Sequence, residues 1–428
     1  MKKHYLLLLL SCLETGMVSA QFSLQDCRSM AKENYPLVKQ YKLLEQSKSY
    51  NVDNLNRLYL PQLSFVSQAS LQSDVTKLGV SLPGVNIESQ KKDQYLLKIE
   101  ADQVIWDGGV IGTRKKMVEA EDAIEKNQLD VDMYSINQRV DQLFFGIVLV
   151  DEQLKDNQLY INDLQRNLEV FENSLKLGIV RSSDVDKIKV ALLERRQQTI
   201  TLNAAKESYQ KMLASFIGLK GTQQIKLQSP VDFERLSVSG SDGLDKVIRR
   251  HELDLYDAYG RQAEEKNKLL TAESLPKFSA FAEGAYGRPI YNTLNPNFDT
   301  GWKFGVRLTY NISNLYTLKK KRELIKVDLS RIQSQRETFL LNTNLELLNN
   351  EQALVEARGQ LKQDDEIVKL RENIVDASSS ELKNGTIRTT DYLDDLSKLH
   401  QARIARVVHQ IKLYQSIEAK KRIAGYDI

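Results

Sequence analysis

Asp391 and Asp394 stand one helical turn apart, just downstream of Arg388. Carboxylates at that spacing share a helix face, repel each other and attract cations. No set of residues with catalytic spacing accompanies them. His251, His400 and His409 lack the His-Glu-x-x-His pattern of a metal site, and the chain has neither a phosphate-cradling glycine loop nor a nucleophile elbow. Met30, Met117, Met133 and Met212 form no cluster, which argues against a dedicated copper or silver path. No catalytic residue, metal ligand or cofactor is therefore assigned.

Asp391 closes a nine-residue motif that occurs twice. Lys176-Leu177-Gly178-Ile179-Val180-Arg181-Ser182-Ser183-Asp184 is repeated as Lys383-Asn384-Gly385-Thr386-Ile387-Arg388-Thr389-Thr390-Asp391, with Lys, Gly, Arg, two hydroxyls and Asp in register. The motif reads as a turn between antiparallel helices. Glycine takes the left-handed conformation that ends one helix, the Ser/Thr pair caps the next, and the aspartate enters its first turn. Capping alone accounts for Gly, Ser/Thr and Asp, but less well for the repeated arginine.

The elements that would carry these turns are long. Seven prolines and twenty glycines in 428 residues leave wide unbroken stretches. Ile111 to Leu177 and Tyr316 to Leu382 contain no proline, and apolar residues recur in them every three or four positions, as at Val140, Phe144, Ile147 and Val148. Each predicts a helix of roughly 100 Å, which calls for a coiled coil or a tubular assembly.

Four short segments instead alternate with period two. They are led by Leu63-Phe65, Tyr95-Leu97-Ile99, Phe278-Ala280-Ala282 and Trp302-Phe304-Val306-Leu308-Tyr310, with polar residues between. Each is about ten residues long, as a tilted membrane strand with one lipid face and one wet face should be. Four strands cannot close a barrel, so several chains would have to share one. Polar connectors, Ser73 to Asp93 and Gly287 to Asp299, suit exposed loops.

At the N-terminus, Lys2-Lys3, a short apolar run to Leu13 and Val18-Ser19-Ala20 read as a secretory signal peptide. Leu9-Leu10-Ser11-Cys12 is a rival lipidation signal. With Cys12 removed, Cys27 is left without a disulfide partner and reads as a small buried hydrophobe. The net charge of +3 gives no reason to expect nucleic acid as a partner.

The halves match elsewhere too. Leu60-Pro61-Gln62-Leu63-Ser64 corresponds to Leu275-Pro276-Lys277-Phe278-Ser279, and Arg114-Lys115-Lys116 to Lys319-Lys320-Lys321-Arg322. The expected organisation is a signal peptide at 1–20, a first repeat at 21–218, a linker at 219–242 and a second repeat at 243–428.

With its duplicated order of helix, Pro-led strand, loop, strand and long hairpin, its Ile105-Trp106-Asp107-Gly108-Gly109 strand exit and both Gly-x5-Asp tips, the chain resembles the TolC-like outer-membrane efflux proteins. The resemblance spans the whole mature chain. It departs from the family at the second strand exit, Asn311-Ile312-Ser313-Asn314-Leu315-Tyr316, which lacks a glycine pair.

The resemblance implies a mixed, mainly α fold: long antiparallel helical hairpins forming a coiled-coil tunnel, with four membrane β-strands per protomer completing a trimeric twelve-stranded barrel. It implies a passive outer-membrane duct of a tripartite efflux or type I secretion system. Its partners would be two further copies, a periplasmic adaptor, an inner-membrane pump of RND or ABC type, and outer-membrane lipid. Asp391, Asp394, Arg388, Asp184 and Ser183 would form the periplasmic gate. Adaptor docking would fall to Gly178, Ile179, Val180, Arg181, Ser182, Gly385, Thr386, Ile387 and Thr389. By their places at strand ends, Trp106, Trp302 and Tyr310 fit an aromatic girdle at the membrane interface, with core packing as the rival reading. The competing reading is a periplasmic or cytoplasmic coiled-coil scaffold without transport activity.

Overall fold

The computed structural model describes residues 21–75, 89–219, 225–228, 247–293 and 295–426. The expected signal peptide and most of the expected linker lie outside them. The elements run α1 (Leu24–Asn34), α2 (Val38–Arg57), β1 (Gln62–Leu71), β2 (Asp93–Trp106), α3 (Val110–Lys176), α4 (Ser182–Phe216), α5 (His251–Glu273), β3 (Lys277–Arg288), β4 (Asp299–Thr309), α6 (Asn314–Lys383) and α7 (Thr389–Ala424). The order helix, strand, strand, long helix, helix therefore occurs twice. Among the described residues, no helix is long and apolar enough to cross a membrane.

The chain divides into two compact units. One takes the described residues of Met1–Val38, Asp130–His251 and Phe339–Ile428, the other those of Lys39–Leu129 and Glu252–Thr338. Helices α3 and α6, 67 and 70 residues long, each contribute to both units.

The second unit holds one antiparallel sheet in the order β1-β2-β3-β4, which leaves β1 and β4 each with an edge unpaired among the described residues. Its register puts Leu63 opposite Ala101, Phe65 opposite Ile99, Leu97 opposite Tyr286, Ala282 opposite Phe304 and Ala280 opposite Val306. One face is thus apolar and lies open, with Phe304 74% exposed. Alternation places Ile105 on that face, but the ladder slips between Val104 and Trp106, and the extra residue brings Trp106 opposite Phe278. The bulge re-aims the indole, which strict period-two reading misses. β4 also stops at Thr309, so Tyr310 and Ile312 lie beyond the strand.

The first strand exit is built by its Asp-Gly-Gly. Gly108 and Gly109 have φ of 74° and 87°. Asp107 accepts the Gly109 and Ile111 amides at 2.9 and 2.6 Å, capping α3. The second exit turns without glycine, through Asn314, Leu315 and Tyr316 amides donated to Asn311, Ile312 and Ser313 carbonyls.

In the first unit, Val140, Phe144, Ile147 and Val148 form a buried stripe on α3. Beside it α1 carries Arg28, only 1% exposed, whose guanidinium reaches Asp141 on α3 at 2.6 Å and Glu418 on α7 at 2.9 Å. Burial raises the Asp141 pKa despite that partner. Cys27 is fully buried, and burial pushes its thiol up to about 12.

Candidate functional site

The two repeated turns have nearly the same backbone. Gly178 and Gly385 take φ of 74° and 70°. The Gly178 and Ile179 amides donate to Leu175 and Ser174 carbonyls at 3.0 and 2.9 Å, and the Gly385 and Thr386 amides to Leu382 and Glu381 at 3.1 and 3.0 Å. This is the Schellman arrangement, which needs a left-handed residue after the helix. A Cβ at either glycine would meet nothing within 4 Å, so backbone conformation rather than space demands glycine.

The next helices start one residue earlier than a hydroxyl cap would require. Arg181 and Arg388 hold the N-cap positions, with extended φ/ψ of −88°/151° and −85°/152°. Ser182, Ser183, Thr389 and Thr390 fall in the first turn. The expected Ser/Thr cap is therefore corrected, and the repeated arginine acquires a position: it supplies the extended residue. Asp391 reaches back to accept the Arg388 amide at 3.2 Å. Asp184 binds Lys187 at 3.1 Å, while Asp394 binds Lys398 at 2.5 Å. Ser378 donates to Asp395 at 2.5 Å, tying α6 to α7.

A shared core brings the two turns together. Tyr160, Leu164 and Phe171 of α3, Val185, Ile188 and Leu192 of α4, Val375 and Leu382 of α6, and Tyr392, Leu396 and Leu399 of α7 bury one cluster, against which Val180 and Ile387 pack. Among the turn residues, Ile179 is 71% exposed, and Gly178, Arg181, Ser182, Gly385 and Thr386 are exposed with it. Val180 and Ile387 are half-buried and Thr389 is buried. Ser183 and Asp394 line one groove between α4 and α7, together with Thr390 and Lys187.

A polar brace between α3 and α7 escaped sequence reasoning. Asn167 donates to the Tyr392 hydroxyl at 2.7 Å, and burial pushes that phenol up to about 12. Further along, His400, 4% exposed, places Nδ1 3.1 Å from both Asp156 oxygens and Nε2 3.7 Å from Asp163. Its ring stacks on Tyr160 with centroids 4.1 Å apart, and the Arg195 guanidinium of α4 lies over the same tyrosine. Burial alone would lower the His400 pKa; hydrogen bonding to the aspartates outweighs it, so the net shift is upward. Burial likewise opposes ionisation of Asp163, but His400 and Arg166 hold its pKa below the usual value. Spacing along the chain offers no signal for this site, because His400 and Asp156 are 244 residues apart.

The sheet holds a second assembly of charges, on the face opposite the apolar one. Asp102, Arg307, Glu100, Lys98, Glu283 and Lys303 form one alternating chain, with successive separations of 3.0, 3.2, 2.9, 3.6 and 2.8 Å. Tyr291 donates its hydroxyl to Glu283 at 2.7 Å. Period-two reading marks this face as wet, but only strand register shows the charges interlocked. The three aromatic residues expected at an interface lie near strand ends: Trp302 near the start of β4, stacked on Phe304, Trp106 at the end of β2 against Phe278, and Tyr310 just past β4.

No family's sequence profile matches the chain, and no curated protein matches it. Solved structures do match its fold. The outer membrane protein VceC from Vibrio cholerae aligns over 94% of this chain and 96% of its own at 11% identity and a TM-score of 0.67. CusC, described for its transmembrane channel formation, aligns over 92% and 91% at 13% identity and 0.68. The MtrE outer membrane channel of Neisseria gonorrhoeae, in its open state, aligns over 94% and 88% at 13% identity and 0.63. The chain has the fold of these outer-membrane channels.

Proposed function

We propose that this chain, which carries the fold of outer-membrane efflux channels, is one protomer of a homotrimeric exit duct in the outer membrane. The observation that supports this best is the sheet: one face is apolar and exposed, the other carries interlocked charges, and both outer edges lack partners among the described residues. In water such a sheet invites aggregation, whereas in a bilayer it is stable once copies of the chain close it into a barrel. Three copies would supply twelve strands. A helical scaffold accounts for α3 and α6 but gives the apolar face no role.

Within that reading the duct is passive, and its direction and energy come from an inner-membrane pump coupled through a periplasmic adaptor. The exposed tip residues Ile179 and Thr386 supply the adaptor contact. The α4–α7 groove holding Ser183 and Asp394, with Asp391 and Arg388 nearby in sequence, supplies the gate. Photo-crosslinking residues placed at 179 and 386 in cells should capture a periplasmic adaptor, and the protein should fractionate with the outer membrane as a detergent-requiring, heat-modifiable oligomer. Full solubility without detergent would overturn the proposal.

A further inference from the structure

Six charges on one sheet face would be ruinous against lipid, where an arginine or lysine near the bilayer midplane costs about 2–4 kcal/mol. They face the same way as the uncharged Ser64, Gln68 and Ser70 of β1, paired with Glu100, Leu96 and Gln94. The alternation is complete. Every carboxylate has a cation within 3.2 Å: Asp102 has Arg307, Glu100 has Lys98 and Arg307, and Glu283 has Lys303. Three acids meet three bases, so the chain of charges has no net sign. It is also held in place by aromatic rings. Arg307 lies over Phe281, whose ring fills the space beside Gly305. Lys303 lies over Tyr291, whose ring covers Gly301 while its hydroxyl binds Glu283. A larger residue at either glycine would displace a ring that positions one of the bases.

We propose that Asp102, Arg307, Glu100, Lys98, Glu283 and Lys303 line the lumen of the barrel as a charge-compensated belt that makes this part of the conduit indifferent to the sign of solute charge. The inference rests on the duct reading above. Its physical content is that a lumen lined by one sign concentrates counter-ions and excludes co-ions, whereas an interlocked belt leaves solutes of either charge equally free to pass. Lys303, at the end of the charge chain and half-exposed, is the specificity-determining position, because its loss leaves Glu283 in excess without breaking the sheet.

The test uses Lys303→Cys in the full-length purified oligomer in planar bilayers, with the reversal potential read under a potassium chloride gradient. The only native cysteine among the described residues, Cys27, is buried and does not compete for thiol reagents. Lys303→Cys should raise the potassium-to-chloride permeability ratio about twofold or more. A methanethiosulfonate carrying trimethylammonium should return the ratio to the wild-type value, and one carrying sulfonate should raise it further. Arg307→Gln should shift it in the same direction and Glu100→Gln in the opposite one. An unchanged ratio in a conducting oligomer, or a Lys303→Cys variant that neither reagent modifies, overturns the belt and leaves the duct standing. A wild-type protein that is fully soluble without detergent and absent from the outer-membrane fraction overturns both.

Discussion

His400 Nδ1 lies 3.1 Å from each carboxylate oxygen of Asp156, so one imidazole on α7 is held by both arms of an acid on α3. Because the net shift raises the His400 pKa, the brace contributes fully below the ordinary histidine value and is lost as pH rises through the raised one. Asp163 has its pKa lowered, so its share persists until strongly acidic pH. The charges facing the ring are Asp156 and Asp163 from α3, Arg195 from α4 by way of Tyr160, and Arg403 on α7, itself paired with Glu372 of α6. Thermal unfolding followed from about pH 6 to 8.5 should show wild type losing stability relative to His400→Gln as pH rises. Parallel profiles for the two proteins would refute the brace.

The tip carboxylates give a separate prediction. Asp391→Ala with Asp394→Ala should increase single-channel conductance, reduce cation preference and relieve block by divalent cations. If all three stay at wild-type values, these residues are solvated helix surface and not a gate. Asp391 also accepts the Arg388 amide, so the double variant should cost about 1 kcal/mol of helix capping.

Gly178→Ala and Gly385→Ala should each destabilise the tip by about 1–2 kcal/mol, because alanine resists a positive φ even where space is free. Chemical denaturation would measure it, and Gly112→Ala, at a helical glycine with open space around it, is the control.

Arg28→Ala leaves Asp141 and Glu418 facing a buried void and should cost about 3–5 kcal/mol. Its effect should appear in hydrogen exchange of α1 and the flanking turns of α3 and α7.

On the apolar sheet face, Phe304→Arg should cost about 2–4 kcal/mol in membrane-inserted stability. Lys303→Gln, one residue away on the other face, should cost far less. Refolding into lipid vesicles compares them, and equal penalties would contradict the assignment of faces.

Much of this architecture was legible from local pattern. The strands announced themselves by period two, α3 and α6 by the absence of proline together with three- and four-residue apolar spacing, and the turns by glycine at the same place in two copies. All three are signals carried by neighbours in sequence. Reading failed where one residue changes phase or where partners are distant. The bulge before Trp106 inverts an alternation that looks regular. Arg181 and Arg388 take N-caps that composition awards to the hydroxyl residues beside them. The Asn167–Tyr392 and Asp156–His400 contacts join helices that meet only in the folded chain.

The bare outer edges of β1 and β4 bear on inheritance as well as on folding. Under the proposed trimer, a chain whose sheet is completed by its siblings shares its defects with them. One allele that spoils an edge, such as a proline placed within β4, would enlist sound copies into assemblies that never close. In a cell carrying both alleles the damage should be dominant.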